Sequence, residues 1–212
     1  MEKTEKPKFK LPNDLKACIE FHGHLCPGLV YGYMVAKAAT ELLQLERSRD
    51  EEVVAVCEND SCAVDALQIM LGTSTGKGNL ILKDYGKNAY TILHRQSKKA
   101  YRFARTKTYQ YKGGSEKEFN RLDAAISAGT ASEQEKWRHK LLKATDLLSK
   151  PFDDIFSTKA VECILPPFAP LARSQACAHC GEMTMSTKIM AADNGRRLCI
   201  PCFERLRIST TC

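Results

Sequence analysis

The apolar pattern along the chain predicts the elements before any residue is given a chemical role. Residues 13–21 carry a helical pattern that "LCPG" interrupts. Pro27 suits the first turn of a new helix, where its missing N–H costs nothing, so Cys26 becomes the N-cap. The helix "GLVYGYMVAKAATELLQ" then runs to about residue 45. "EEVVAVCE" is rich in β-branched residues and predicts a buried strand from Glu52 to Glu58. "NDS" supplies capping residues for a helix "CAVDALQIML", which Gly72 ends. "GTSTGKGNL" reads as a loop, and "AYTILHR" and "AYRFART", separated by "QSKK", as a hairpin. Two helices follow over 115–127 and 132–148, the second capped by Ser132. Trp137, Leu141, Ala144 and Leu148 fall at helical spacing on it, and a core stripe is the expectation. "AVECIL" predicts one more strand, and "PPFAP" a stiff linker.

Length fits this outline, since 212 residues suit one domain and a small extra module. The expected division is a disordered basic tail over 1–12, a main domain over 13–165, a linker over 166–172 and a zinc-binding domain over 173–212. No apolar run approaches a membrane span, and "MEKTEKPKFK" has no apolar signal region, so the expected location is the cytoplasm. The net charge of +7 is mild and its lysines are spread out, which permits nucleic acid without implying it. Ten cysteines in a cytoplasmic chain point to metal rather than disulfides.

Eight of those cysteines cluster, and four define the tail. Cys177-x-x-Cys180 and Cys199-x-x-Cys202 are two close thiol pairs that a hairpin can bring together around a tetrahedral zinc. "DNG" between them signals the hairpin turn, Gly181 suits a tight knuckle, and "FERLRIS" suits a short helix. The expectation is a zinc ribbon or treble clef with a closed, structural zinc. His179 inside the knuckle is expected to be exposed rather than a ligand.

The second cluster is "EFHGHLCPGLVYGY". An extended backbone would point His22, His24 and Cys26 the same way. A helical one would place His22 with Cys26 and turn His24 aside. Cys26 and Cys62 both fall at helix starts, where unpaired N–H groups favour a thiolate. A His/Cys group with an open position is the usual form of a reactive metal site, with Asp60 and Asp65 as oxygen ligands or as partners behind the ligands. Two surface histidines beside two buried cysteines are the alternative. "GTSTGKGN" is not a P-loop, because its glycine spacing is wrong and Gly78 follows Lys77. The loop either lets Lys77 hold an anionic group or simply joins helix to hairpin.

"FHGHLCPGLVYGY" followed by "CENDSCAVDALQIMLGTSTGKGNLILKDYGKNAYTI" resembles the FmdE family, which takes its name from a component of formylmethanofuran dehydrogenase, over about residues 15–110. "PFDDIF" and "CAHCGE…CIPC" are similar to its longer members. The resemblance implies an α+β domain, a mixed sheet packed with helices, in a homodimer. It implies a groove lined by His22, His24, Cys26, Asp60, Cys62, Asp65 and Gln68 that holds a second metal, zinc by expectation. His22, Cys26 and Cys62 are the first ligand candidates, His24 and Asp60 the alternates, and Lys77 and Asn79 are expected to face a ligand. Thr73 stands where the family often has cysteine. The resemblance also implies methanogenesis-related, anaerobic or archaeal metabolism and oxidoreductase subunits as partners, although the reductive chemistry belongs to molybdenum- or tungsten-bearing subunits. Two rivals stay open. One is an enzyme with Cys26 as nucleophile and His24 as base. The other is a nucleic-acid or protein adaptor working through the basic "NGRRLCIPCFERLR".

Overall fold

A computed structural model describes residues 11–193 and 195–209, so the expected tail lies outside the described residues up to residue 10. The chain divides between Phe168 and Ala169 into two units.

The first unit contains helices α1 (Asn13–His22), α2 (Pro27–Leu43), α3 (Ala63–Leu71), α4 (Glu116–Ser127) and α5 (Glu133–Leu148). Its strands are β1 (Val53–Cys57), β2 (Leu80–Leu82), β3 (Ala89–His94), β4 (Lys99–Arg105) and β5 (Phe156–Val161). They form one mixed sheet in the order β2-β1-β3-β4-β5, with β1 and β2 parallel and the other pairs antiparallel. The α+β expectation is borne out.

Alternation divides β1 between two cores. Val53, Ala55 and Cys57 face the main core with α2, α3 and α5, and Val54 faces a smaller cluster that Cys163 and Leu165 help to cover. The expected strand at 160–165 therefore ends at Val161. It starts at Phe156, which pairs with Arg105 and packs edge-on against Tyr31. The three-residue β2 begins at Leu80, the last residue of the expected loop; too short to show alternation, it is held as a parallel partner of β1.

The stripe expected on α5 is rotated. Leu142, Ala144, Asp146 and Leu147 are its buried residues, while Trp137 is 53% exposed. The helix is gripped from two sides: Leu142 packs with Phe119 and Leu122 of α4, and Ala144 and Leu147 enter the main core. The Ser132 cap is confirmed, closed as a capping box by Glu135.

Two glycines set the approach of α2 to α3. A Cβ on Gly32 would lie 2.1 Å from the Ala63 carbonyl oxygen, and one on Gly28 would lie 3.0 Å from the Cys62 Cβ. Glycine at both positions lets the start of α3 lie directly on α2. The apolar α2 is buried by its own chain on most sides, so its hydrophobicity is no argument for a dimer. The expected linker is docked at its start: Arg95 donates to the Pro166 carbonyl at 3.0 Å and lies 4.0 Å over the Phe168 ring.

The second unit has two hairpins, β6 (Ser174–Ala176) with β7 (Met183–Met185) and β8 (Ile189–Ala191) with β9 (Arg197–Cys199), followed by α6 (Ile200–Ser209). A knuckle, a hairpin and a helix in that order make a treble clef rather than a ribbon. Asn194 of the expected "DNG" turn lies outside the described residues, but Gly195 N–H closes the turn on the Ala192 carbonyl at 2.8 Å.

Candidate metal centre

His22 is the last residue of α1. Gly23 caps that helix in the left-handed region at φ 91°, where a side chain would be strained, and turns the chain back toward α2. Cys26 is the extended N-cap of α2, and its sulfur accepts the Leu29 N–H at 3.4 Å. Neither a pure strand nor a pure helix carries the motif. A helix end, a glycine turn and a helix start fold back on each other, and the donor atoms of His22, His24 and Cys26 all fall within 4.8 Å of one another.

His22 is held on both ring nitrogens. Its Nδ1 lies 2.7 Å from Asp65 Oδ2, and its Nε2 lies 3.6 Å from the Cys26 sulfur. Gln68 donates to the other Asp65 oxygen at 3.3 Å. Asp65 and Gln68, one turn apart on α3, thus fix the imidazole from behind and turn Nε2 toward the thiol. With metal–nitrogen bonds of about 2.0–2.1 Å and metal–sulfur bonds of about 2.3 Å, the nitrogen–sulfur edge of a tetrahedron is about 3.6 Å. The donor set and the observed separation therefore fit a bound cation.

Several expected roles change. His24 is exposed, with its ring 4.6 Å from that of His22. The histidine in reach of Cys26, and held by a carboxylate, is His22, so His22 replaces His24 as the base a nucleophilic Cys26 would use. Cys62 borders the centre beside Gly28 but is not among the convergent donors. It is an N-cap in helical conformation whose sulfur makes no capping hydrogen bond, and burial and the neighbouring Cys26 push its thiol up. The thiolate expected of Cys62 from its helix start is corrected accordingly. Asp60 is exposed and outside the donor group. Cys18 is wholly buried in the cluster below the site, with its thiol raised to about 11 by burial and by Asp14.

The side chains of Lys77 and Asn79, expected to face a ligand, are engaged by backbone groups of their own chain. The Lys77 ammonium donates to the carbonyls of Gly72, Ser48 and Arg49. Asn79 is fully buried, donating to Asp50 and Val53 carbonyls at 2.9 Å and accepting the Ser74 N–H at 2.9 Å. Both side chains tie the glycine loop to the start of β1. Asp65 is one of the two carboxylates expected behind the ligands, although it lies 43 residues from His22 in the chain, whereas Gln68 entered only through the family resemblance.

The tail places the sulfurs of Cys177, Cys180, Cys199 and Cys202 within 4.8 Å of one another. Cys180 and Cys199 are 3.9 Å apart, close to the sulfur–sulfur edge of about 3.8 Å set by metal–sulfur bonds of about 2.3 Å. Backbone N–H groups of Cys180, Cys199 and His179 bring Cys177 down to about 6, while Cys199 beside it pushes Cys202 up to about 12. A cation among the sulfurs reverses that repulsion. Gly181 closes the knuckle at φ 77°, and its N–H donates to the Cys177 carbonyl at 2.9 Å. The basic stretch expected to serve an adaptor is partly engaged by its own chain, Arg196 on the Ala178 carbonyl and Arg197 on Gln175.

An α+β domain carrying a His/Cys donor group, joined to a four-thiol treble clef, defines a protein equipped for metal at two places. The chain belongs to the FmdE family: the family model described as "FmdE, Molybdenum formylmethanofuran dehydrogenase operon" matches residues 21–157, which include the whole donor group and its Asp65–Gln68 support. It is 30% identical over 206 residues to a probable S-adenosyl-L-methionine-binding protein of Archaeoglobus fulgidus, covering 92% of this chain and 54% of that protein. The chain thus spans about half the length of that curated relative. The crystal structure of a tungsten formylmethanofuran dehydrogenase FmdE-like protein from Syntrophus aciditrophicus has the same fold, with a TM-score of 0.53 and 19% identity over 89% of each chain. No helix among the described residues is long and apolar enough to cross a membrane.

Proposed function

We propose that the chain binds and activates a small molecule at a metal held by His22, His24 and Cys26, and that a structural zinc organises the tail. The observation that carries this reading is the two-sided hold on His22, Nδ1 on Asp65 and Nε2 toward Cys26. Carboxylate-backed histidine is the usual arrangement behind a metal ligand. Three convergent donors leave a tetrahedral position for water or substrate, and zinc bound there would supply a Lewis acid. The chain's own part is to keep the His22 tautomer with a bare Nε2, to present the Cys26 sulfur at a helix start, and to place Cys62 beside it. Metal analysis of anaerobically purified protein tests the proposal. Two metals per chain are expected, with one lost in His22→Ala or Cys26→Ser and the tail metal kept. One metal per chain in the native protein would sink it.

A second reading is favoured by the 3.6 Å approach of His22 Nε2 to Cys26. Cys26 then acts as a nucleophile, His22 takes its proton, and Asp65 holds the imidazole. One fast-alkylating cysteine in native protein that carries only the tail metal supports this reading over the first. The homodimer, the oxidoreductase partners and the cytoplasmic location belong to the proposal on family grounds. Given the name of the Archaeoglobus relative, S-adenosyl-L-methionine is the first ligand to titrate.

A further inference from the structure

A cationic cluster lies at the same end of the sheet as the donor group. β1 and β4 both run antiparallel to β3, so their C-terminal ends lie together. Cys57 pairs with Tyr90 and Tyr90 with Phe103, and Arg105 follows Phe103 by two residues, two strand spacings or about 10 Å across from β1. Asn59 and Ser61, on the segment leading to Cys62, both contact the Tyr90 hydroxyl. Tyr31 reaches this region from α2, five residues past Cys26 or about 7.5 Å along the helix axis.

Three features point to a ligand. The Tyr31 residue is only 7% exposed, and its hydroxyl is buried without a hydrogen-bond partner. A buried hydroxyl left in that state is costly and needs an acceptor. Burial raises this hydroxyl above its usual range, and Arg105, as a charge and as a donor, only partly opposes it; a guanidinium has only donors and cannot accept the Tyr31 proton. The Arg105 guanidinium carbon lies 5.2 Å from the Tyr31 ring centre, and among the described residues Arg105 makes no ion pair. Lys143, 4.6 Å over the Tyr109 ring, likewise makes none; the carboxylate that acts on it, Asp123, pairs with His139. Burial first, and then the Arg105 charge, hold Lys143 below its usual range. A guanidinium without an ion pair, lying against a tyrosine whose buried hydroxyl lacks an acceptor, has one common remedy with it in an oxyanion.

We propose that Arg105 and the Tyr31 hydroxyl form an anion subsite for the carboxylate or phosphate group of a small molecule. Arg105 offers a planar fork to two oxygens, and Tyr31 donates one hydrogen bond. The subsite rests on the proposed function only in the assignment of the molecule's other end to the His22–Cys26 centre.

Calorimetric titration of the full chain with inorganic phosphate, and separately with succinate, tests the subsite and tells the two oxyanions apart. One site per chain is expected, at least tenfold weaker in Arg105→Gln and at least threefold weaker in Tyr31→Phe, with metal content unchanged. Tyr31→Phe removes only an oxygen without a partner, so its melting temperature in anion-free buffer should match the wild type. It therefore keeps the test open should Arg105→Gln misfold. No saturable binding of either probe at millimolar concentration, equal binding by wild type and Tyr31→Phe, or a melting temperature in Tyr31→Phe lowered without anion would each overturn the proposal. A missing N-terminal metal with variant-sensitive anion binding would overturn the metal reading and leave the subsite standing.

Discussion

Replacing Asp65 separates the charge behind His22 from the hydrogen bond it makes. Asp65 Oδ2 sits 2.7 Å from His22 Nδ1, and the two side chains are 32% and 12% exposed. Asp65→Asn keeps an acceptor at nearly the same place and loses the charge. Asp65→Ala loses both and frees the ring to rotate away from Cys26. Removing a partner of this kind typically weakens metal binding about 10–100-fold, or about 1.4–2.7 kcal/mol. Asp65→Asn should fall near the low end and Asp65→Ala near the high end. The fold should suffer less, because Asp65 is a third exposed and its other service is to the first turn of α3, worth about 0.3–1 kcal/mol. Competition against a chromophoric zinc chelator resolves the two sites, and the tail serves as internal control. Affinity of the N-terminal site unchanged within about twofold in both variants would refute the assigned role of Asp65 in positioning His22. So would equal weakening of both sites.

Gly32→Ala would put a methyl group 2.1 Å from the Ala63 carbonyl oxygen, a clash with backbone that no side chain can relieve. A loss of about 1–3 kcal/mol is expected from overpacking, read by urea unfolding, together with weaker metal binding as α3 carries Asp65 away from His22. An unperturbed midpoint would show that α2 and α3 lie further apart. Glu58 is held below the ordinary carboxylate range by its hydrogen bonds to Arg102. A depressed carboxylate stabilises the fold above its unfolded value of about 4.3 and loses that contribution as pH falls through its folded value. The gap in urea midpoint between wild type and Glu58→Gln should therefore be full at pH 7 and narrow in acid. A gap that stayed constant to pH 3 would contradict the ion pair.

The sequence made the elements legible wherever one face of each was buried by one neighbour. β1, the β3–β4 hairpin, α2 and α3 lie within a residue or two of expectation, because their alternation or helical period matches a single core. α5 also has the expected bounds and cap, but its buried face is not the expected one, since two packing partners share its circumference and the largest side chain, Trp137, marks neither contact. The tail was legible because its four ligands come in two local pairs. In the N-terminal centre, residues 22–26 gave three donors by spacing, but the choice between His22 and His24 depended on a left-handed Gly23 and on a carboxylate from another helix. Lys77 and Asn79 looked like ligand residues because glycine loops so often approach ligands. Here the loop approaches Ser48, whose carbonyl oxygen would lie 2.3 Å from a Cβ on Gly72.

The two sites should respond oppositely when metal is withdrawn. In the tail the ligands are themselves the core: Cys177, Cys199 and Cys202 form its buried cluster with Leu198, supported by Ala192, Phe203 and Leu206. With so little apolar material, a metal bound by the four cysteines would hold the unit together, and its binding energy would be folding energy. The N-terminal donors instead sit at helix ends above Leu15, Leu29, Tyr33 and Ala66, a cluster joined to a five-stranded sheet that packs without them. Chelation should therefore expose the amides of residues 174–202 to fast hydrogen exchange and leave those of 53–57, 89–94 and 99–105 protected. Cys177→Ser should do the same without a chelator, at a cost of one metal per chain. If the proposed N-terminal site empties without unfolding, a metal there would be free to exchange and its ligands to open, which a reactive centre requires and a structural one must avoid. Loss of protection in the sheet on chelation would reverse this assignment and make the His22–Cys26 metal a structural part of the first unit.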